Sequence, residues 1–181
     1  LHNRKHSFPT RRSSDLPSFI ASCGIFAEAD FLRLYYLSCL GWLEQPNGQL
    51  MHKYHIKYAE STDGIQWQRT GHIAIDFAYD NEYAISVPRL IKDNDTYKMW
   101  FSYRGGPWGD TYRIGYAESA DGTQWTRKDQ AMANFEPGLP GDFDSDMLCY
   151  PEVFDHNRKR YLLYNGNGYG QTGIGLAVQK D

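Results

Sequence analysis

Apolar and polar positions alternate along this chain in short clusters, and no long helical period runs through it. Clusters such as Phe31–Ser38 (FLRLYYLS) and Tyr97-Lys98-Met99-Trp100-Phe101 combine aromatic and aliphatic residues with the partial two-residue alternation of half-buried strands. Between them stand turn residues. Asp63-Gly64 and Asp121-Gly122 are strong hairpin signals, and Asn94-Asp95 and Asp155-His156-Asn157 supply side chains that tolerate positive φ. The prediction is an all-β chain of short antiparallel strands.

The pattern repeats. Tyr54–Arg69 (YHIKYAESTDGIQWQR) and Tyr112–Arg127 (YRIGYAESADGTQWTR) are identical at 11 of 16 positions with an offset of 58. A third copy opens at Thr172 (TGIGLAVQKD), where Ile174, Gly175 and Ala177 match Ile114, Gly115 and Ala117. A second unit precedes each of these: Val87–Tyr103 matches Tyr150–Asn167, with Pro88 over Pro151 and Tyr97 over Tyr161. Phe31–Ser38 reads as the tail of an earlier copy. A repeat of about 60 residues built as strand A, turn, strand B, loop, strand C, Asp-Gly turn, strand D is a β-propeller blade. Trp67 and Trp125, three residues beyond each Asp-Gly, are expected to pack between neighbouring sheets. The blade parts are expected at 26–76, 80–130 and 143–181: strands B–D of one blade, a complete second, and strands A–C of a third, about two and a half to three blades in all. Such a piece is expected to leave sheet edges and an apolar blade face uncovered.

Residues 1–16 (LHNRKHSFPTRRSSDL) lack this pattern. They are basic and polar, and FPTRRSSDL resembles translated sequencing-adapter DNA, so the segment is read as a non-native or disordered leader and set aside. Composition then narrows the function. Lys and Arg number 19 against 22 Asp and Glu, which gives no reason to expect nucleic acid or an anionic membrane as partner, and no apolar run approaches a membrane span. The three scattered cysteines form neither a disulfide framework nor a zinc motif; they fit a reducing compartment, and a cytoplasmic location is favoured. Histidines 52, 55, 72 and 156 are dispersed, and the Asp-x-Asp runs lack a calcium-loop spacing, so no metal and no cofactor are expected. The sequence is silent on oligomeric state.

The motif Ile-Gly-Tyr-Ala-Glu-Ser-x-Asp-Gly-x-x-Trp, with Pro88-Arg89-Leu90 ahead of Asp95-Thr96-Tyr97, resembles the blade signature of the five-bladed propeller glycosidases, glycoside hydrolase families 32, 43, 68 and 130. The resemblance covers Phe31 to Asp181. It implies a five-bladed β-propeller, of which this chain is a fragment, and cleavage or transfer of glycosidic bonds. It also implies a catalytic Asp immediately before the inner-strand Pro, where this chain has Val87, and a general-acid Glu two residues before the later Pro, where it has Cys149.

Strand direction sorts the connections onto two faces. The A–B and C–D turns are short. The D–A and B–C connections, Asp80–Tyr83, Arg104–Tyr112, Asn134–Asp146 and Asn165–Thr172, are longer and richer, and the functional site is placed among them. Glycosidic cleavage needs a pair of carboxyl groups, and Asp146 and Glu82, each just ahead of an innermost strand, are the candidates for the acid and base roles. Tyr83, Arg104, Trp108, Asp144, Tyr150, Asn165, Asn167 and Tyr169 are the candidate substrate contacts, since rings stack on sugar C–H faces and polar groups meet hydroxyls. Glu60 with Glu118, and Arg69 with Arg127, recur in successive repeats and are read as structural. The expected partner is an oligosaccharide or polysaccharide. A propeller that binds glycan without cleaving it, as an accessory of polysaccharide synthesis or export, remains open beside the enzyme, and a protein-interaction propeller beside both.

Overall fold

A computed structural model describes residues 18–45 and 47–179; the leader expected at 1–16 lies outside them. Three antiparallel sheets follow one another along the chain. The first comprises β1 (Ile20–Ala27), β2 (Leu32–Glu44), β3 (Leu50–Ser61) and the short β4 (Ile73–Ile75). The second comprises β5 (Ala84–Asp93), β6 (Thr96–Arg104), β7 (Tyr112–Ser119) and β8 (Thr126–Arg127). The third comprises β9 (Cys149–His156), β10 (Lys159–Asn165) and β11 (Ile174–Val178). Their first strands, β1, β5 and β9, pack side by side, which is how blades meet around a propeller axis. One parallel bridge, Tyr54 to Ala84, ties the first blade to the second.

One expectation is corrected here. The first blade has its inner strand, β1, ahead of Phe31–Ser38 and therefore carries four strands, not three. Ile20–Ala27 (IASCGIFA) lacks the X-Pro step of the other inner strands, so nothing in the repeat marked it.

The repeated motif folds the same way twice. Ser119 Oγ accepts the Gly122 N–H at 2.8 Å, and Asp121 Oδ1 accepts the N–H groups of Thr123 and Gln124. Ser61, Asp63 and Gly64 repeat this with Ile65 and Gln66. Gly64 and Gly122 sit at φ 70° and 72°, which a side chain rarely tolerates.

The cores lie between the blades. Tyr35, Ile56 and Tyr58 of the first blade meet Ile85, Met99, Phe101 and Ala117 of the second, with Trp125 edge-on to Tyr35 at 5.6 Å. Trp100, Ile114 and Tyr116 of the second meet Val153, Leu162 and Tyr164 of the third. Each fully buried large side chain stabilises by about 1.5–3 kcal/mol relative to exposure. The outer faces are covered less: Ile174, Leu176 and Val178 of β11, and Ile25, Trp42 and Leu50 of the first blade, are exposed.

Candidate functional site

The inner strands β5 and β9 are each interrupted by a bulge at an X-Pro step. Register slips between Ser86 and Arg89, and again opposite Leu163–Asn165. The residue before each proline is left-handed, Val87 at φ 52° and Tyr150 at φ 56°. For a β-branched residue this is an outlier, of the kind that persists where neighbouring contacts hold it. Those contacts cross between strands: Val87 N–H donates to Ser22 Oγ (3.1 Å) and Tyr150 N–H to Ser102 Oγ (2.7 Å).

Around Tyr150 the D–A and B–C connections converge. Arg104 ends β6, paired in register with Tyr112 at the start of β7. Its guanidinium lies over the rings of Tyr83 (5.1 Å) and Tyr112 (4.9 Å), and Nη1 donates to Tyr169 Oη at 3.1 Å. Tyr169 arrives on the short helical turn Asn167–Gly170, stacks on Tyr150 at 6.2 Å and stands edge-on to Tyr112. Tyr112 Oη is hydrogen-bonded to Tyr54 Oη, and Tyr83 Oη donates to Asp110 (2.8 Å). Burial raises the phenol pKa of Tyr54, Tyr83, Tyr112 and Tyr150, so these hydroxyls are neutral at pH 7. Gly105 makes the junction possible: at φ 93°, a Cβ there would stand 2.3 Å from the Asn81 carbonyl oxygen.

Four of the expected contact residues, Tyr83, Arg104, Tyr150 and Tyr169, thus meet in one cluster, with Tyr83 buried beneath it as a support and not a substrate contact. Asp146 adjoins it. Its backbone carbonyl accepts from Thr111 Oγ1 (2.6 Å) and Arg113 Nη1 (2.9 Å), its N–H is held by Asn167 Oδ1 (2.8 Å), and its residue is exposed, with no hydrogen bond to its carboxylate among the described residues. Asn167 is therefore a clamp on the 142–147 loop, donating also to the Asp142 carbonyl and Ser145 Oγ. Asn165 likewise holds the Tyr169 carbonyl.

Three candidates are placed otherwise. Glu82 carries a fully buried side chain: its carboxylate accepts both contacts from Arg127 Nη1 (2.9 Å each) and the N–H groups of Ala78 and Tyr79. It faces the interface between the first two blades, where Arg127 also pairs with Asp129 at 2.6 Å, and it is an anchor, out of reach of a substrate. Asp144 is buried and accepts the Tyr164 hydroxyl (2.7 Å). Trp108 is 38% exposed but its Nε1 is committed to Tyr103 Oη (2.8 Å) and its ring lies under Arg113.

Tyr54, Tyr112, Arg113 and Ser102 were missed. Tyr54 and Tyr112 head the two copies of the repeat, so their equivalence was visible; that they would join across two blades was not. Cys149 is buried with its thiol pushed up to about 12 by burial, and so is unreactive. Below the bulges, Arg89 pairs with Glu152 between β5 and β9. No group of three His, Cys, Asp or Glu able to hold a metal occurs among the described residues. A cleft between Tyr58, Glu60, His72 and Thr123 lies toward the Asp-Gly turns, at the opposite face.

No protein-family model matches the chain. Two curated proteins of Mycobacterium tuberculosis, the uncharacterized protein Rv1502 and the uncharacterized protein MT1551, are each 40% identical to it over 148 residues, 81% of this chain and 46% of their own length. The chain thus spans about half the length of the curated relatives it matches. Among solved structures it is similar to Zg3597, a family 117 glycoside hydrolase from Zobellia galactanivorans (TM-score 0.72, 19% identity, 94% of this chain and 55% of that one). It is similar also to the Bombyx mori GH32 beta-fructofuranosidase BmSUC1 (0.65, 19%, 88% and 33%) and to an alpha-L-arabinofuranosidase of Lactobacillus brevis (0.63, 11%, 88% and 48%). These likenesses establish the fold, that of the propeller glycosidases.

Proposed function

We propose that this chain belongs to a carbohydrate-active protein of the glycoside-hydrolase kind, and that its three blades form part of a five-bladed ring whose glycan site is the face gathering Tyr83, Arg104, Tyr150 and Tyr169. The observation that carries this reading is the stacked, half-exposed pair Tyr150 and Tyr169 beside an arginine at the head of the inner strands. Rings of this kind meet sugar C–H faces, and directional donors meet hydroxyls. BmSUC1, as a mutant, forms a complex with sucrose, which agrees with a sugar ligand at this type of fold.

In the catalytic version, Asp146 supplies one carboxyl of the pair that glycosidic cleavage needs. Its partner is not Glu82, and the Val87 and Cys149 positions supply none. Incubation of the full-length protein with oligosaccharides, with reducing ends followed over time, tests this. Asp146→Asn should lower turnover at least about 100-fold with little change in binding; unchanged turnover removes Asp146 from the mechanism. The lack of a second free carboxylate among these residues favours one other reading, a propeller that binds glycan and leaves it intact. Calorimetric binding without product would decide for it.

A further inference from the structure

Four arginines with largely buried side chains have carboxylate partners. Arg33 pairs with Glu28, Arg89 with Glu152, Arg127 with Glu82 and Asp129, and Arg160 with Asp93 and Asp155. Arg104 has none among the described residues. Its strongest electrostatic neighbours are the phenols of Tyr112, Tyr54, Tyr83 and Tyr169. Among the described residues its Nε is buried without a hydrogen bond, and the one bond its side chain makes is to Tyr169 Oη. Removing a cation from part of its water without a counter-charge is costly, and the cost is recovered where the counter-charge arrives with a ligand.

We propose that Arg104 is the anchor for the carboxylate of an acidic sugar, a uronic acid or its like, so that this face selects anionic glycans. The inference rests on the glycan reading above and sharpens it. A guanidinium offers a planar fork of donors that a carboxylate meets in a bidentate way, and rings under the fork keep it in that plane. Tyr150 and Tyr169 lie alongside to take the ring of the same sugar. Arg113 adds positive potential on the same face. Its guanidinium lies 5.2 Å from the centre of the Trp108 ring, and among the described residues its Nε is also buried and unbonded and its hydrogen bonds go only to oxygens of Thr111, Tyr112 and Asp146. The acidic groups facing this region are Asp110, which accepts from Tyr83, and Asp146 and Glu136, which attract Arg113 from beyond ion-pair distance.

The test is calorimetric titration of the protein with matched pairs of ligands: uronic-acid oligosaccharides, and the same oligosaccharides with each carboxylate reduced to an alcohol. The acidic member of at least one pair should bind roughly 10- to 100-fold more tightly at low salt, with the ratio shrinking as salt rises. Arg104→Gln should bring that ratio close to one, and Arg104→Lys should keep part of it. If Arg104→Gln does not fold, the Lys variant and the salt dependence decide. Equal binding of both members of every pair overturns the anion assignment and leaves the glycan reading standing. Binding of neither member anywhere in the panel removes both. Inorganic sulfate is the third arm: if it binds as tightly as the acidic sugar, the site takes free anions and the inference is overturned.

Discussion

Two arginines of the second blade sit in nearly the same aromatic surroundings and differ in their counter-charge. Arg127 lies over Tyr79, Phe101 and Tyr103 at 5.1–5.4 Å, and Arg104 over Tyr83 and Tyr112 at 4.9–5.1 Å. Around Arg127 two carboxylates and a backbone carbonyl complete the shell, and the group is closed. Around Arg104 the rings are present, and no carboxylate of the described residues pairs with it. Aromatic framing is therefore common to both arginines; what separates them is the fixed counter-charge, and the ligand role proposed for Arg104 rests on that difference.

The comparison breaks most sharply at Glu82. Replacing it with Ala leaves buried Arg127 with Asp129 as its one carboxylate partner among the described residues and frees the N–H groups of Ala78 and Tyr79. Loss of one member of a buried pair costs about 3–5 kcal/mol, and Asp129 should hold this case near 3. Urea denaturation of Glu82→Ala should show that loss. Adding Arg127→Met should cost less than the sum of the two single changes, because the stranded charge goes with it. A change within about 0.5 kcal/mol of native would mean that the first two blades are not joined through this pair.

Next in size is Gly105, which stands between the two regions. A methyl group there meets the Asn81 carbonyl and Glu82 Cα in a left-handed backbone, so Gly105→Ala should cost about 2 kcal/mol or more. The strain has to move the 79–83 connection away from Arg104, so Tyr83 loses its place under the guanidinium. The sugar affinity of this face should then fall along with stability. A stability loss with full affinity would show that Tyr83 is not needed in its present position.

Much of this architecture was legible because its causes are local. The Asp-Gly turns, the blade period, the packing of Trp125 and the sorting of connections onto two faces all follow from residues close in sequence. What was hidden depends on distance. Glu82 looked like a loop carboxylate because its partner Arg127 lies 45 positions on; the repeat marked Arg127 as structural without saying what it holds. The isolation of Arg104 was equally hidden, since a missing counter-charge is a property of the folded neighbourhood. The left-handed Val87 and Tyr150 had only the following proline as a sign, and a β-branched residue argues against that conformation.

Arg160 supplies an intermediate case and the smallest expected effect. It crosses from the third blade to the second, bidentate to Asp93 at 2.7 and 2.8 Å, with Asp155 on its other side and the Trp100 ring 5.7 Å away. Arg160, with Lys98 beside it, holds the Asp93 carboxyl well below the usual carboxylate range. A depressed value means that the stability tied to the charged form is present above the unfolded value, about 3.9, and is lost as pH falls through the folded one. Asp93 is about a third exposed, so solvent screening should keep the contribution below about 1 kcal/mol. Asp93→Asn should therefore be slightly less stable than native at pH 7, with the gap closing as the pH is lowered below about 4. A gap that stays constant from pH 7 to pH 2 would mean that the charge of Asp93 contributes nothing. Counter-charge would then matter in this fold only where water is fully excluded, as it is at Glu82.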